Sequence, residues 1–202
     1  EVLKPVNSAK GLPNENYTTD AIFEIEKKSI FFGSWSGVGF GKDVPKIGDA
    51  YPIDYFGIPL LIVRDESDKI RVFENTCRHR GMVLVRKKMT LRGTIRCPYH
   101  SWCYNLNGEL RSTPHVGGPW QNTHRDIKRA ELNLYEIKSY IWNDIVFINI
   151  SETAGAFARE NKEIVERWGE FSQPLFHNQR DSSFQLELEA NWKLVIENYC
   201  ES

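Results

Sequence analysis

Cys77-Arg78-His79-Arg80-Gly81-Met82 and, after seventeen residues between His79 and Cys97, Cys97-Pro98-Tyr99-His100-Ser101-Trp102-Cys103-Tyr104 are the stretches that decide how this chain is read. Each sets one Cys beside one His, as Cys-x-His and as Cys-x-x-His. A thiolate is a soft metal ligand and an imidazole a borderline one, so two such pairs point to metal chemistry. With 4 Cys and 5 His in 202 residues, chance seldom builds both pairs. Two Cys and two His can close a tetrahedral zinc site, and zinc stays the alternative. Zinc fingers, however, keep like ligands together, whereas each motif here mixes the two types. A two-iron, two-sulfide cluster with two Cys on one iron and two His on the other suits that mixture, because each loop can give its Cys to one iron and its His to the other.

The sequence around these motifs is β-rich. Short runs such as Leu60–Arg64, Ile70–Glu74, Thr94–Cys97 and Ile141–Ile150 alternate with Gly, Pro and Asp/Asn turn signals, which predicts an antiparallel all-β domain. Before it, capping side chains at Thr18-Thr19-Asp20 and apolar residues Ile22, Phe23, Ile25 and Ile30 predict a helix over 19–32. After it, Ser151 is placed to cap a helix carrying Ala154, Phe157, Ile164, Val165 and Trp168 at three- and four-residue steps. Phe184–Ala190 alternates apolar and polar side chains like a strand with one wet face, and a helix is expected to open at Asn191. The organisation expected is a helical segment over 1–39, the β domain over 40–150, and a connecting helix with the start of a further domain over 151–202.

Composition narrows the function. Lys and Arg number 26 against 27 Asp and Glu, for a net charge of −1, so an electrostatic nucleic-acid binder is not expected. A hydrophobic fraction of 41% with 26% charged residues describes a globular chain rather than a disordered one. No apolar run approaches the roughly 18 residues of a bilayer span, and no secretory signal is visible, so a cytoplasmic location without membrane association is expected. Four Cys are too few for a disulfide scaffold.

The Cys/His motifs, with Gly108 and Pro114 downstream, resemble the Rieske domain of the ring-hydroxylating oxygenase α subunits, over about residues 30–202. The resemblance implies a mainly β, antiparallel iron–sulfur domain with flanking helices and the start of an α+β catalytic domain. It implies a [2Fe–2S] cluster with Cys77 and Cys97 on one iron and His79 and His100 on the other. Trp102 is expected either to shield the cluster or to be one more core aromatic. Respiratory-chain Rieske proteins carry an extra disulfide cysteine in each loop, where this sequence has Met82 and Tyr99. Ser101 departs from the family, which usually has Gly after the second His.

Asn191-Trp192-Lys193-Leu194, followed by Glu197-Asn198-Tyr199, resembles the opening of the oxygenase catalytic domain. By that likeness Asn198 lies near a mononuclear iron, and Glu201 bridges a cluster His of one subunit to an iron-binding His of its neighbour. The mononuclear Fe(II), held in the family by two His and a carboxylate, is expected only in a complete chain; the 202 residues alone are expected to store an electron without oxygenating anything. The implied partners are an NAD(P)H-dependent reductase or a ferredoxin, O2 and a small organic substrate, in a homotrimer or higher oligomer. Family members hydroxylate aromatic rings or demethylate quaternary amines, and Glu rather than Asp at 201 points, on resemblance, toward the amine-type and related single-component α subunits. The alternative is a stand-alone Rieske ferredoxin-like carrier, which needs only about 100–120 residues and has no use for the chain after 151.

The remaining candidates are read more plainly. Cys103 and Cys200 have no partner at ligand spacing and are expected to be ordinary thiols. His115, His124 and His177 lie in loop-like sequence and are assigned nothing. Arg78, Arg80 and the run Arg86-Lys87-Lys88 read as a solvated loop face, with docking of an acidic electron donor as the second reading.

Overall fold

The computed structural model describes residues 2–5, 7–171 and 186–201. In chain order, helices α1 (Glu15–Thr18) and α2 (Asp20–Glu26) lead through a wider turn, Lys27–Phe31, to strand β1 (Ser36–Phe40). Then follow β2 (Asp49–Tyr55), β3 (Ile58–Arg64), β4 (Ile70–Glu74), β5 (Met89–Thr90), β6 (Thr94–Arg96), β7 (Cys103–Asn105) and β8 (Leu110–Ser112). β9 (Lys138–Trp142) and β10 (Ile145–Asn149) close the strand series, followed by α3 (Phe157–Glu160), α4 (Lys162–Arg167) and α5 (Trp192–Cys200). The chain divides into two compact units, one of Gly33–Leu175 and one of Glu1–Phe32 with Phe176–Ser202.

The strands of the first unit form three antiparallel sheets, ordered β1-β10-β9, β4-β3-β2-β5 and β6-β7-β8. The run Ile58-Pro59-Leu60-Leu61-Ile62-Val63 has no polar alternation because β3 is central and apolar on both faces. Leu61 and Val63 enter one core, with Phe73, Ile95, Tyr104 and Leu110, while Leu60 and Ile62 enter another, with Val44, Val72, Val146 and Ile148. A fully buried side chain of this size contributes about 1.5–3 kcal/mol. The first core also contains Cys77, Cys97 and Trp102, so the candidate ligands are set into packed apolar material.

Several expectations are corrected by the backbone. Ile141–Ile150 is not one run but the inner part of the β9–β10 hairpin, turning at Asn143 and Asp144, both with positive φ (48° and 63°). A two-residue loop with φ > 0 at both positions is the type I′ turn that matches strand twist, and Asn and Asp are residues that tolerate the left-handed conformation. Ser151 caps no helix. Its hydroxyl accepts from the Thr153 N–H at 3.3 Å, and buried Asn149 holds the same turn by accepting from the Ala154 N–H at 3.1 Å. The helix begins only at Phe157, which is buried against Tyr140 and Phe147 at ring distances of 4.6 and 4.7 Å. The strand expected at Phe184–Ala190 is not found over 186–190, which has no regular structure; Phe184 and Gln185 lie outside the described residues, as does His177. The helix expected over 19–32 is present as α2 and its wider last turn, and the one expected at Asn191 as α5.

A buried carboxylate organises the β3–β4 turn. Asp65 accepts from the N–H groups of Ser67 and Lys69 at 2.8 and 2.9 Å and from Arg71 Nε at 2.6 Å. Burial by itself would raise its pKa, but the Arg71 guanidinium and the two N–H groups outweigh burial and hold it below the usual carboxylate range. A depressed folded-state pKa adds stability that is present above the unfolded value, about 3.9, and is lost as pH falls through the folded value. Asp65→Asn is therefore expected to lower stability by about 1–3 kcal/mol at pH 7, with the gap from the parent closing below about pH 4. Urea unfolding at pH 7 and pH 3 measures this; a gap of equal size at both values would show that the charge on Asp65 contributes nothing.

Candidate metal centre

Two loops carry the Cys/His motifs, one between β4 and β5 and one between β6 and β7. Both are closed by the same pair of backbone hydrogen bonds. In the first, Cys77 N–H donates to Met82 O at 2.8 Å and Gly81 N–H to Cys77 O at 2.9 Å. In the second, Cys97 N–H donates to Trp102 O at 2.8 Å and Ser101 N–H to Cys97 O at 3.1 Å. In each, the residue four after the Cys has a positive φ, 66° at Gly81 and 58° at Ser101. Gly adopts that conformation freely, whereas an L-residue bears a cost of about 1–2 kcal/mol. This is the physical content of the Ser101 departure: a turn that its partner loop builds with Gly is built here with Ser.

The two loops sort their ligand types by depth. Cys77 and Cys97 are buried, while His79 and His100 are exposed at the rim. The imidazole rings meet edge to face with centroids 4.8 Å apart. Trp102 is buried and stacks on His79 at 4.7 Å with its plane only 7° from parallel. Its indole belongs to the core and covers one face of His79.

Charge favours a positive guest. Burial pushes the Cys77 thiol pKa up, and neighbouring Cys97 adds to the rise, so a thiolate at Cys77 calls for a cation beside it. Burial, then His100, then Arg80 hold His79 below the ordinary imidazole range, leaving it neutral and able to ligate. Two buried sulfurs with two imidazoles outside them fit a two-iron cluster, which asks for only two protein ligands per iron.

Tyr104 is the residue that sequence reasoning missed. It is fully buried; its hydroxyl accepts from the Arg78 N–H at 3.0 Å and lies 3.4 Å from Cys77 Sγ. With the Arg78 N–H aimed at its oxygen, the phenol proton is free to point at the sulfur. Burial, and then Cys77, raise its pKa strongly, so it remains a proton donor. The available signal was that a buried Tyr needs a partner for its O–H. Arg78 is drawn down onto the Tyr135 ring, its guanidinium carbon 3.6 Å from the centroid.

Asn198 lies within α5, and Glu201 forms its C-terminal end, both in the second compact unit. Cys103 is buried and Cys200 exposed, and both are free thiols. His115 accepts from the Trp120 N–H at 3.4 Å, and His124 lies 3.4 Å from Asp126, both in exposed loops. Arg80, Arg86, Lys87 and Lys88 are exposed. Among the described residues no helix is long and apolar enough to cross a membrane.

The family model described as the Rieske [2Fe-2S] domain matches residues 34–140, which include both loops and all four candidate ligands. The chain belongs to the Rieske [2Fe–2S] domain family. This Rieske chain is 29% identical over 192 residues to the carnitine monooxygenase oxygenase subunit of Acinetobacter pittii (strain PHEA-2), covering 94% of this chain and 50% of the relative. It is 35% identical over 159 residues to the 2-aminobenzenesulfonate 2,3-dioxygenase subunit alpha of an Alcaligenes species, covering 76% of this chain and 39% of the relative. A crystal structure of the quaternary ammonium Rieske monooxygenase CntA, in complex with an inhibitor, superposes with a TM-score of 0.82 at 27% identity, covering 95% of this chain and 52% of that one. The antiparallel sheets described above are thus those of Rieske oxygenase α subunits, and the chain corresponds to their N-terminal part. It spans about half the length of the carnitine monooxygenase subunits it matches.

Proposed function

We propose that this chain is the electron-relaying N-terminal portion of a Rieske terminal oxygenase. The observation that carries the reading is the pair of identically closed loops, which set two Cys inside and two His outside. Cys77 and Cys97 hold one iron of a [2Fe–2S] cluster, and His79 and His100 hold the other. Bound there, the cluster accepts and gives one electron at a time, at a potential raised by its neutral imidazole ligands. Trp102 keeps water from one face of His79, and Tyr104 donates its proton to Cys77 Sγ. We assign the cluster-bearing part to about 40–150 and the start of the catalytic domain to 151–202.

In the complete subunit Glu201 bridges a cluster His to an iron-binding His of the neighbouring subunit, and Asn198 lies near that mononuclear iron. We place the iron's two His and its carboxylate beyond residue 202, so the 202 residues alone exchange electrons without inserting oxygen. Electrons come from an NAD(P)H-dependent reductase or a ferredoxin, in a cytoplasmic homotrimer or larger assembly. The carnitine, choline and glycine betaine monooxygenases among the relatives support a quaternary ammonium substrate. A stand-alone electron carrier is the weaker reading, because α5 and its Asn-Trp-Lys start have no place in it.

The protein reconstituted with iron and sulfide is expected to bind two of each per chain. Zinc in the purified protein, with no acid-labile sulfide after reconstitution, would overturn the assignment. A finer test is Tyr104→Phe. A hydrogen bond to a ligand sulfur stabilises the electron-richer reduced state more than the oxidised one, so its loss is expected to lower the midpoint potential by on the order of 50 mV, equivalent to about 1 kcal/mol. Voltammetry on parent and variant decides this; an unchanged potential would mean that the phenol proton does not reach the sulfur.

A further inference from the structure

The helix that ends at Glu201 is gripped at its start by the N-terminal segment. The Asn191 side chain accepts from the Lys193 N–H at 3.1 Å, capping α5, and donates through Nδ2 to the Tyr17 carbonyl at 3.1 Å. Trp192 Nε1 donates to Glu26 Oε2 at 3.0 Å, and Lys193 Nζ donates to both Glu26 oxygens at 2.7 and 2.8 Å. The Phe31 ring stands edge-on to Trp192, with centroids 5.0 Å apart. One turn later the Tyr17 hydroxyl donates to Glu197 Oε1 at 2.9 Å. The Asn-Trp-Lys motif is therefore a clamp on the N-terminal segment.

Its spacing matters for Glu201. Residues 193, 197 and 201 are four apart, so they follow one stripe of the helix, each about 40° on from the last and about 6 Å further along. The N-terminal segment holds the first two members of that stripe, and Glu201 is the third. The ion pair at its base is well shielded, with side-chain exposures of 11% for Lys193 and 14% for Glu26. An apolar face lets a helix turn and slide by small amounts. A shielded carboxylate shared by two successive residues admits one azimuth.

We infer that Glu26 is a positioning residue for Glu201: by holding Trp192 and Lys193 it fixes the rotation of α5, and with it the direction in which Glu201 leaves the helix end. The inference deepens the function proposed above and rests on its reading of Glu201 as the electron bridge.

The test reads order first and electron transfer second. In the full chain, amide hydrogen exchange over residues 193–201 is expected to speed up about tenfold or more in Glu26→Ala. It should speed up by less in Glu26→Gln, whose amide oxygen can still accept from one of Trp192 Nε1 and Lys193 Nζ, while residues 77–104 exchange as in the parent. Unchanged exchange over 193–201 in Glu26→Ala, or exchange in Glu26→Gln as fast as in Glu26→Ala, overturns the proposal. In the complete oxygenase, the dithionite-reduced cluster is mixed with O2-saturated buffer and its visible band is followed. Glu26→Ala and Glu201→Gln are each expected to slow reoxidation about tenfold or more, with the midpoint potential unchanged. The double variant should be no slower than Glu201→Gln, because Glu26 acts through Glu201. Slowing that multiplies in the double variant gives Glu26 a separate structural role and overturns the proposal. A parent rate in Glu26→Ala beside a slow Glu201→Gln overturns the proposal alone, whereas a parent rate in Glu201→Gln removes the bridge reading and the proposal with it.

Discussion

Cys97→Ala is expected to abolish cluster binding, taking iron and acid-labile sulfide from two of each per chain to nearly none and removing the visible absorption. The expectation follows from the ligand count. Each iron has only two protein ligands, so deleting one leaves an iron half-held, and no other Cys, His, Asp or Glu among the described residues completes a group of three around it. The change in the polypeptide itself is small. Cys97 is buried in the first core, and alanine removes a single sulfur atom from it. The variant should therefore fold, with a thermal midpoint like that of the cluster-free parent, because the stability lost is the binding free energy of the group and not the packing of the side chain. His79→Cys is the informative contrast. A thiolate at the rim can keep the cluster, but its added negative charge stabilises the oxidised form and lowers the potential. A Cys97→Ala protein that retains two irons and two sulfides would show that Cys97 is not a ligand.

The candidate ligand pairs were legible in the sequence because their geometry is local. Cys77 and His79, like Cys97 and His100, lie within one turn of each other, and each turn closes on its own backbone. β3 was legible as well, since a run of six residues with no charged or polar side chain suits a strand with a core on each side. What escaped is what depends on approach through space. Tyr104 matters because β7 brings its hydroxyl to the Arg78 N–H, 26 residues away in the chain. The Asn-Trp-Lys motif could be read as the opening of a domain, but not as a clamp, because its partner Glu26 lies 166 residues before Trp192. Ser151 failed for a different reason. A hydroxyl can serve a short turn as well as a helix start, and here the competing turn, fixed by buried Asn149, takes it. In each case the missing information was which distant segment would arrive, and the hydrophobic pattern records only that some segment must.

A large loss of stability from one added methyl group is expected at Gly108. Gly108 lies in the β7–β8 turn with φ at +86°, donating to Asn105 O at 3.0 Å and accepting from the Leu134 N–H at 2.9 Å. A Cβ there would stand 2.5 Å from Phe73 Cε1 and 3.0 Å from Cζ. Phe73 is fully buried in the core that holds Cys77, Cys97 and Tyr104, so its ring cannot swing aside into solvent. Two costs then add: about 1–2 kcal/mol for an L-residue at positive φ and about 1–3 kcal/mol for overpacking a filled core. Gly57 supplies the control. It has nearly the same φ, +82°, but nothing lies within 4 Å of its would-be Cβ. Gly57→Ala should therefore bear only the first cost, and Gly108→Ala both, together about 2–5 kcal/mol, or a fall in Tm on the order of 10 °C for a chain of this size. Because Phe73 packs in the same core as the two cysteines, the visible absorption of cluster-loaded Gly108→Ala should bleach at a correspondingly lower temperature than that of Gly57→Ala. Equal melting of the two variants would mean that Phe73 yields, and that the core behind the loops is looser than its burial implies.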